Sequence, residues 1–142
     1  MTKTQKVVFV GGVWDLFHVG HLNILEKAKR YGTILIVGVS TDELVLRYKG
    51  IYPVIPLAQR MRILKSLACV DFVVSQSVLA DVGLLEDWDV DVFVTGEDWK
   101  DKRNPPEGYA WIKENLEMIF LPRTEGISST SIKKELNRRP IL

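Results

Sequence analysis

A parallel β-sheet covered by helices on both faces, in a single three-layer α/β domain spanning residues 1–142, is the fold class this sequence predicts. Two observations carry that expectation. Short β-branched runs alternate with segments of helical periodicity along the whole chain, and connections of that length bring each strand back parallel to the last. A third observation is one of scale: 142 residues, 46% of them hydrophobic and 26% charged, supply one sizeable core.

The elements follow in order. KVVFV at residues 6–10 is the first strand, and it stops at Gly11-Gly12. Residues 20–31 carry Leu22, Leu25 and Ala28 at helical spacing. A second strand is expected over 33–39. The stretch DELVLRYKGIYPVIPLAQR then reads as a loop that runs into a helix over 56–67, with Leu57, Met61 and Leu64 on one face. Strands at 72–74, 90–94 and 117–121 alternate with weaker helical patterns at 78–88 and 108–115. The last helix, 128–136, opens on hydroxyl residues suited to an N-cap and presents Ile132 and Leu136 together. Sheets of this kind bind ligands at strand ends where the topology switches direction.

Composition narrows the function. A net charge of +1 creates no global field for nucleic acid or an anionic membrane, so any anion site is local. The single cysteine, Cys69, leaves no internal disulfide and no multi-cysteine metal site, and its apolar surroundings make it a core filler. MTKTQKVVFVGG reads as a first strand and not as a signal peptide or membrane span, so a cytoplasmic protein is expected.

The two histidines of the chain, His18 and His21, lie in GGVWDLFHVGHLNIL at residues 11–25, directly after the first strand. As metal ligands at i and i+3 they would need Asp15 to complete the set. As histidines without a role they would sit beside three glycines by chance. As phosphate contacts they make chemical sense, because glycines let the backbone approach an anion, the helix start offers free N–H groups, and imidazole adds donors.

GVWDLFHVGH resembles the G-x-F-D-x-x-H-x-G-H signature of the cytidylyltransferase branch of the nucleotidylyltransferase superfamily, with Trp14 where Phe is usual and Val13 where Thr is common. RTEGISST, residues 123–130, is similar to the second hallmark of that branch, and STDE at 40–43, VDFVV at 70–74 and TGEDW at 95–99 extend the likeness over nearly the whole chain. The resemblance implies a Rossmann-like fold, dependence on Mg2+ carried by CTP with no dedicated metal site, and a homodimer. Chain length, STDE, GEDW and LPRTEGISST are most similar to the group of that branch that acts on glycerol 3-phosphate. The implied reaction is transfer of CMP from CTP to a phosphorylated small-molecule acceptor, a small alcohol phosphate.

The resemblance also implies roles. His18 and His21 would contact the triphosphate, Gly12, Val13 and Trp14 would offer backbone amides, and Gly20 would let the helix start close to the phosphates. Asp15 is either the N-cap of that helix or a group orienting ligand or metal. Lys49 and Arg123 would act on phosphate, and Arg60 matches a basic position near the acceptor or triphosphate; Arg47 and Arg62 read as solvated. Ser128, Ser129 and Thr130, with Ser131, form either a cap or a second phosphate cradle, and Thr124 and Ile127 belong to the same segment. Gly96 and Asp98 look like base contacts, Trp99 stacks on ligand or plugs the core, and Trp88 and Trp111 pack.

Three features depart from that group. YKGIYPVIPLAQR is more like the K-G-x-x-P-V-x-P-x-x-x-R pattern of the domain that makes ADP-heptose, Ala68-Cys69 stands where an Arg often precedes Val-Asp, and KDKRNPPEGYAW at 100–111 is an insertion. An adenylyltransferase acting on a sugar phosphate or flavin precursor therefore stays open, as does a nucleotide-binding module without turnover.

Overall fold

The computed structural model describes residues 3–101 and 103–140. Five parallel strands, β1 (Val7–Gly12), β2 (Ile34–Ser40), β3 (Phe72–Gln76), β4 (Val92–Gly96) and β5 (Glu117–Leu121), form one sheet in the order β3-β2-β1-β4-β5. Helices α1 (Val19–Lys29), α2 (Asp42–Lys49), α3 (Leu57–Lys65), α4 (Val82–Asp87), α5 (Tyr109–Asn115) and α6 (Ser129–Arg138) connect and flank it. The α/β fold with a parallel sheet is the one expected.

The two faces of β1 show why the chain folds this way. Successive side chains of a strand point to opposite faces, and VVFV is apolar at every position. Val8 and Val10 join one buried cluster with Leu25 and Ala28 of α1 and Leu64 of α3. Val7 and Phe9 join a second with Leu85 of α4 and Ile112 of α5. A strand buried on both sides has no polar face to spare. Trp88 and Trp111 pack against the second cluster. Cys69 packs against the first, half-buried, and burial pushes its thiol pKa up.

The first four strands run up to two residues further toward their C-terminal ends than the β-branched runs suggest. Gly11-Gly12, Ser40, Ser75-Gln76 and Thr95-Gly96 lie beyond the β-branched runs, but parallel neighbours pair them: Gly12 aligns with Val39, Ser40 with Gln76, and Gly96 with Leu121. The sheet therefore carries small and polar residues to its C-terminal edge.

Helix α2 corrects the expected loop. Thr41 Oγ1 accepts the Leu44 N–H at 3.2 Å, Asp42 and Glu43 lie in the first turn, Arg47 and Lys49 in the last, and Gly50 ends the helix at φ +76°. Each is a helix-terminus signal, and together they hold a helix that buries only Leu44 and Val45.

From β1 the chain builds outward through β2 to β3, then returns to the other side of β1 for β4 and β5. The direction reverses between the C-terminal ends of β1 and β4, the place where such sheets open a ligand crevice. Among the described residues no helix is long and apolar enough to cross a membrane.

Candidate active site

After Gly12 the backbone turns sharply. Trp14 and Leu16 take φ of +60° and +50°, left-handed conformations that cost a side-chain-bearing residue about 1 kcal/mol or more each. Two anchors hold the turn. The Trp14 indole, 6% exposed, donates from Nε1 to the Gly38 carbonyl at 3.0 Å. The Asp15 carboxylate, 5% exposed, accepts the amides of Val54 at 2.8 Å, Ile55 at 2.9 Å and Leu16 at 3.1 Å. Asp15 is therefore not the N-cap of α1; it ties the first loop to the segment before α3. Gly12 is backed by the Trp14 ring, which a Cβ at that position would meet at 2.9 Å.

The N-cap is His18. Its Nδ1 accepts the Gly20 N–H at 3.0 Å, and His21 Nδ1 accepts the His18 N–H at 3.3 Å, a reciprocal box closed by two imidazoles where hydroxyls and carboxylates are usual. The rings stack with centroids 3.8 Å apart. A side chain at Gly20 would meet the His18 ring at 2.8 Å, so the close approach requires glycine. Because each Nδ1 accepts, each neutral ring carries its proton on Nε2, which is left as a donor for a ligand.

Burial, and then the neighbouring His18, lower the His21 pKa to about 4, against an opposing pull from Asp15; burial also lowers that of His18. Both rings are neutral donors at neutral pH. The sign of the linkage follows. The unfolded chain takes up a proton at His21 near 6.5 and the folded protein only near 4, so stability from this group is complete above the upper value and declines as pH falls toward the lower. In a urea series the unfolding midpoint is expected to drop between these two pH values, and the His21 ring signals in NMR to titrate near the lower one. A His21 that titrates near its ordinary value would remove the buried neutral donor.

The C-terminal segment closes over this loop. Asn23 Nδ2 of α1 donates to Thr124 Oγ1 at 3.1 Å, and Ile127 packs over Gly20. Ser128 caps α6 in a box with Ser131: the Ser131 N–H reaches Ser128 Oγ at 3.0 Å and the Ser128 N–H reaches Ser131 Oγ at 2.9 Å. Ser129 Oγ donates to the Asp15 carbonyl at 2.7 Å. The cap reading thus holds for the hydroxyls of Ser128 and Ser131, while Ser129 and Thr130 line the cleft.

That cleft, of about 430 Å³, lies over the end of β1. Gly12, Val13, Trp14, Asp15 and His21 form one side, with His18 stacked behind His21; Lys49, Asp98, Trp99, Arg123 and Lys133 form the rest. Its size is that of a small-molecule site. Lys49, the last residue of α2, is held by the helix and not by a mobile loop; burial first, then Lys133 and Arg123, lower its pKa against a pull from Asp15. Lys133, with Nζ 3.9 Å from Asp15, also lines the cleft, although in the sequence a lysine on a polar helix reads as solvated. Its position four residues after Ser129 puts both on one face of α6.

At the end of β4, Asp98 folds back toward Gly96, where a Cβ would meet Asp98 Oδ1 at 2.6 Å, and Arg123 Nη2 lies 3.5 Å from Asp98 Oδ2. Trp99 lines the cleft with its ring stacked on Tyr109, whose hydroxyl donates to the Trp99 carbonyl at 2.9 Å.

Arg60 is placed otherwise than expected. Only 1% exposed, it donates from Nε to the Ile55 carbonyl at 2.8 Å, from Nη1 to those of Val13 and Ser40 at 2.8 Å each, and from Nη2 to Asp42 Oδ1 at 2.6 Å. It does not line the cleft. It clamps the first loop, the end of β2, the start of α2 and the segment before α3 to one point.

Among the described residues no group of three His, Cys, Asp or Glu side chains could hold a metal ion. With three backbone amides on its oxygens, Asp15 offers little to a cation. The donor set suits an ion brought in on phosphate oxygens, as Mg2+ commonly is.

Glycines at a strand end, a helix start carrying two imidazoles, and cations from α2, α6 and the segment after β5 gather at the switch point of a parallel sheet, an arrangement chemically suited to phosphate groups. The family of cytidylyltransferase-like proteins matches residues 9–135, and the chain belongs to it. Glycerol-3-phosphate cytidylyltransferase of Bacillus spizizenii is 40% identical over 133 residues, covering 93% of this chain and 98% of that protein. The bifunctional protein HldE of Helicobacter acinonychis is 38% identical over 94% of this chain but only 28% of its own length. The fold is shared with a lipopolysaccharide core biosynthesis protein of Thermoplasma volcanium at a TM-score of 0.71 and 21% identity, over 85% of this chain and 99% of that one.

Proposed function

We propose that the protein transfers CMP from CTP to a phosphorylated small alcohol, glycerol 3-phosphate foremost, releasing pyrophosphate and CDP-glycerol. The observation that carries this is the imidazole pair at the start of α1, where the capping bonds to each Nδ1 leave both Nε2 positions as donors and His21 lines the cleft. The full-length likeness to proteins named glycerol-3-phosphate cytidylyltransferase supports the choice of nucleotide and acceptor.

An oxygen of the acceptor phosphate attacks the α-phosphorus of CTP; a new P–O bond forms as the bond to the β-phosphate oxygen breaks, and pyrophosphate leaves. No protein nucleophile is required, so catalysis consists of alignment and charge stabilisation. His18 and His21 donate Nε2–H bonds to phosphate oxygens as charge grows on the leaving group. Lys49, Lys133 and Arg123 neutralise the polyanions, and Thr130 with the amides of Gly12, Val13 and Trp14 and of the α6 start cradles them. Gly96, Asp98 and Trp99 face the base. Mg2+, brought in with the triphosphate, would supply further neutralisation of negative charge on the leaving pyrophosphate. The reading includes a homodimer working in the cytoplasm, the former checked by light scattering of the purified protein.

The K-G-x-x-P-V-x-P-x-x-x-R loop favours a second reading, adenylyl transfer to a sugar phosphate. Titration calorimetry with CTP and with ATP separates the two. CTP is expected to bind at least tenfold more tightly than ATP, a difference of about 1.4 kcal/mol, and the reverse order would move the protein to the adenylyl branch.

A further inference from the structure

A second cavity, of about 130 Å³, adjoins the triphosphate cleft and shares Gly11, Gly12, Tyr48 and Trp99 with it. Unlike the cleft, it has no charged side chain in its lining, which is apolar and aromatic apart from the hydroxyls of Ser40, Thr95 and the tyrosines and the carboxamide of Gln76. Gln76 ends β3 and is only 5% exposed.

The sheet makes room for that carboxamide. Gly11 of β1 and Gly38 of β2 lie beneath it, and a Cβ at either would meet Gln76 side-chain atoms at 3.0 Å and 2.8 Å. Gln76 Nε2 donates to Ser40 Oγ at 3.3 Å, its one side-chain hydrogen bond among the described residues. A carboxamide has two N–H donors and a carbonyl acceptor. A buried polar group with unused capacity beside a cavity is equipped to bind a polar ligand.

Size and charge narrow the ligand. A cavity of ~150 Å³ takes a benzene-sized molecule of six heavy atoms, so this one takes a group no larger. The glyceryl part of glycerol 3-phosphate, three carbons and three oxygens, is of that size; a ribityl chain or a heptose is larger. With no carboxylate in the lining, the cavity matches a neutral polyol and not an ammonium group. The acceptor's phosphate would remain in the cationic cleft next door, where the reaction takes place.

We infer that this cavity holds the hydroxylated carbon end of the acceptor and that Gln76, with Ser40 and Thr95, reads its hydroxyls and sets its length. The inference rests on the cytidylyl-transfer reading and adds the specificity pocket to it.

The test compares kcat/KM for glycerol 3-phosphate, 3-hydroxypropyl phosphate and ribitol 5-phosphate, at saturating CTP, in the wild type, Gln76→Leu and Thr95→Val. The wild type is expected to prefer glycerol 3-phosphate to both others. Gln76→Leu is expected to raise the KM for glycerol 3-phosphate roughly tenfold or more, to erase the preference over the analogue lacking one hydroxyl, and to leave the CTP Kd unchanged. Thr95→Val provides the same readout should Gln76→Leu fold poorly. A hydroxyl preference unaltered in both variants, or a wild type equally active on ribitol 5-phosphate, overturns the inference while leaving cytidylyl transfer standing. A wild type that releases no pyrophosphate from CTP with any of the three overturns the underlying reading, and the pocket assignment with it.

Discussion

His21→Asn is expected to lose about two to four orders of magnitude in turnover while keeping its fold and most of its affinity for CTP. The choice of asparagine separates two jobs that one ring performs. His21 Nδ1 accepts the His18 amide at 3.3 Å and closes the helix cap; Asn can replace that acceptor but has no group at the position of Nε2. His21→Gln reverses the exchange, reaching the Nε2 position while giving up the cap. If the Nε2–H donor serves the transition state, His21→Gln retains more turnover than His21→Asn, although it is the less stable of the two. Turnover that follows stability across the pair would reduce His21 to a capping residue. The CTP Kd completes the argument, since a donor that acts as charge develops changes kcat more than ground-state binding.

The second large effect is one of stability. Arg60→Met removes a guanidinium whose side chain is fully buried and leaves the carbonyls of Val13, Ser40 and Ile55 without their donor and Asp42 without its counter-charge. Removing one partner of such a buried arrangement costs about 3–5 kcal/mol, a large part of the ~5–15 kcal/mol that holds a domain folded. A urea titration is expected to show that loss, and Arg60→Lys is expected not to repair it, because an ammonium cannot span the same acceptors. An Arg60→Met protein with an unchanged midpoint and a lost CTP site would return Arg60 to the ligand contact that its sequence position suggests.

The contrast between Arg60 and Lys133 shows what a sequence conveys and what it withholds. Both are basic residues on helices. The signature around His18 and His21 and the RTEGISST segment announce themselves because glycines, imidazoles and hydroxyls at strand ends and helix starts have few other uses. Whether an arginine faces ligand or carbonyls depends on which loops the topology stacks above it, and periodicity within one helix does not contain that information. Lys133 enters the cleft only because Ser129, one turn earlier, is bonded to the Asp15 carbonyl, a contact spanning 114 residues. For Asp15 the sequence leaves open a helix cap or a group orienting ligand or metal; the structure gives the cap to His18 and, through the left-handed turn at Trp14 and Leu16, the carboxylate to the amides of Val54 and Ile55.

The parallel sheet was legible in the alternation of apolar runs and helices. Its C-terminal edge was less so, since Gly11-Gly12, Ser40 and Gln76 lie beyond the β-branched runs and join the strands only through pairing with their neighbours. The same edge carries the site. Helix α2 leaves little trace in the sequence although Thr41, Asp42, Glu43 and Gly50 mark its ends, because only Leu44 and Val45 of its eight residues are buried and so small an apolar face gives little periodicity.

Central to all of this is the claim that the histidine-capped crevice activates CTP toward a small alcohol phosphate. The most direct test is phosphorus NMR of the purified protein incubated with Mg2+, CTP and glycerol 3-phosphate, with ATP replacing CTP in a parallel sample. The account predicts pyrophosphate and a new diphosphate diester, CDP-glycerol, appearing together in equal amounts in the CTP sample and not in the ATP sample. A product formed from ATP alone, or CTP left intact with an acceptor bound beside it, would contradict the account.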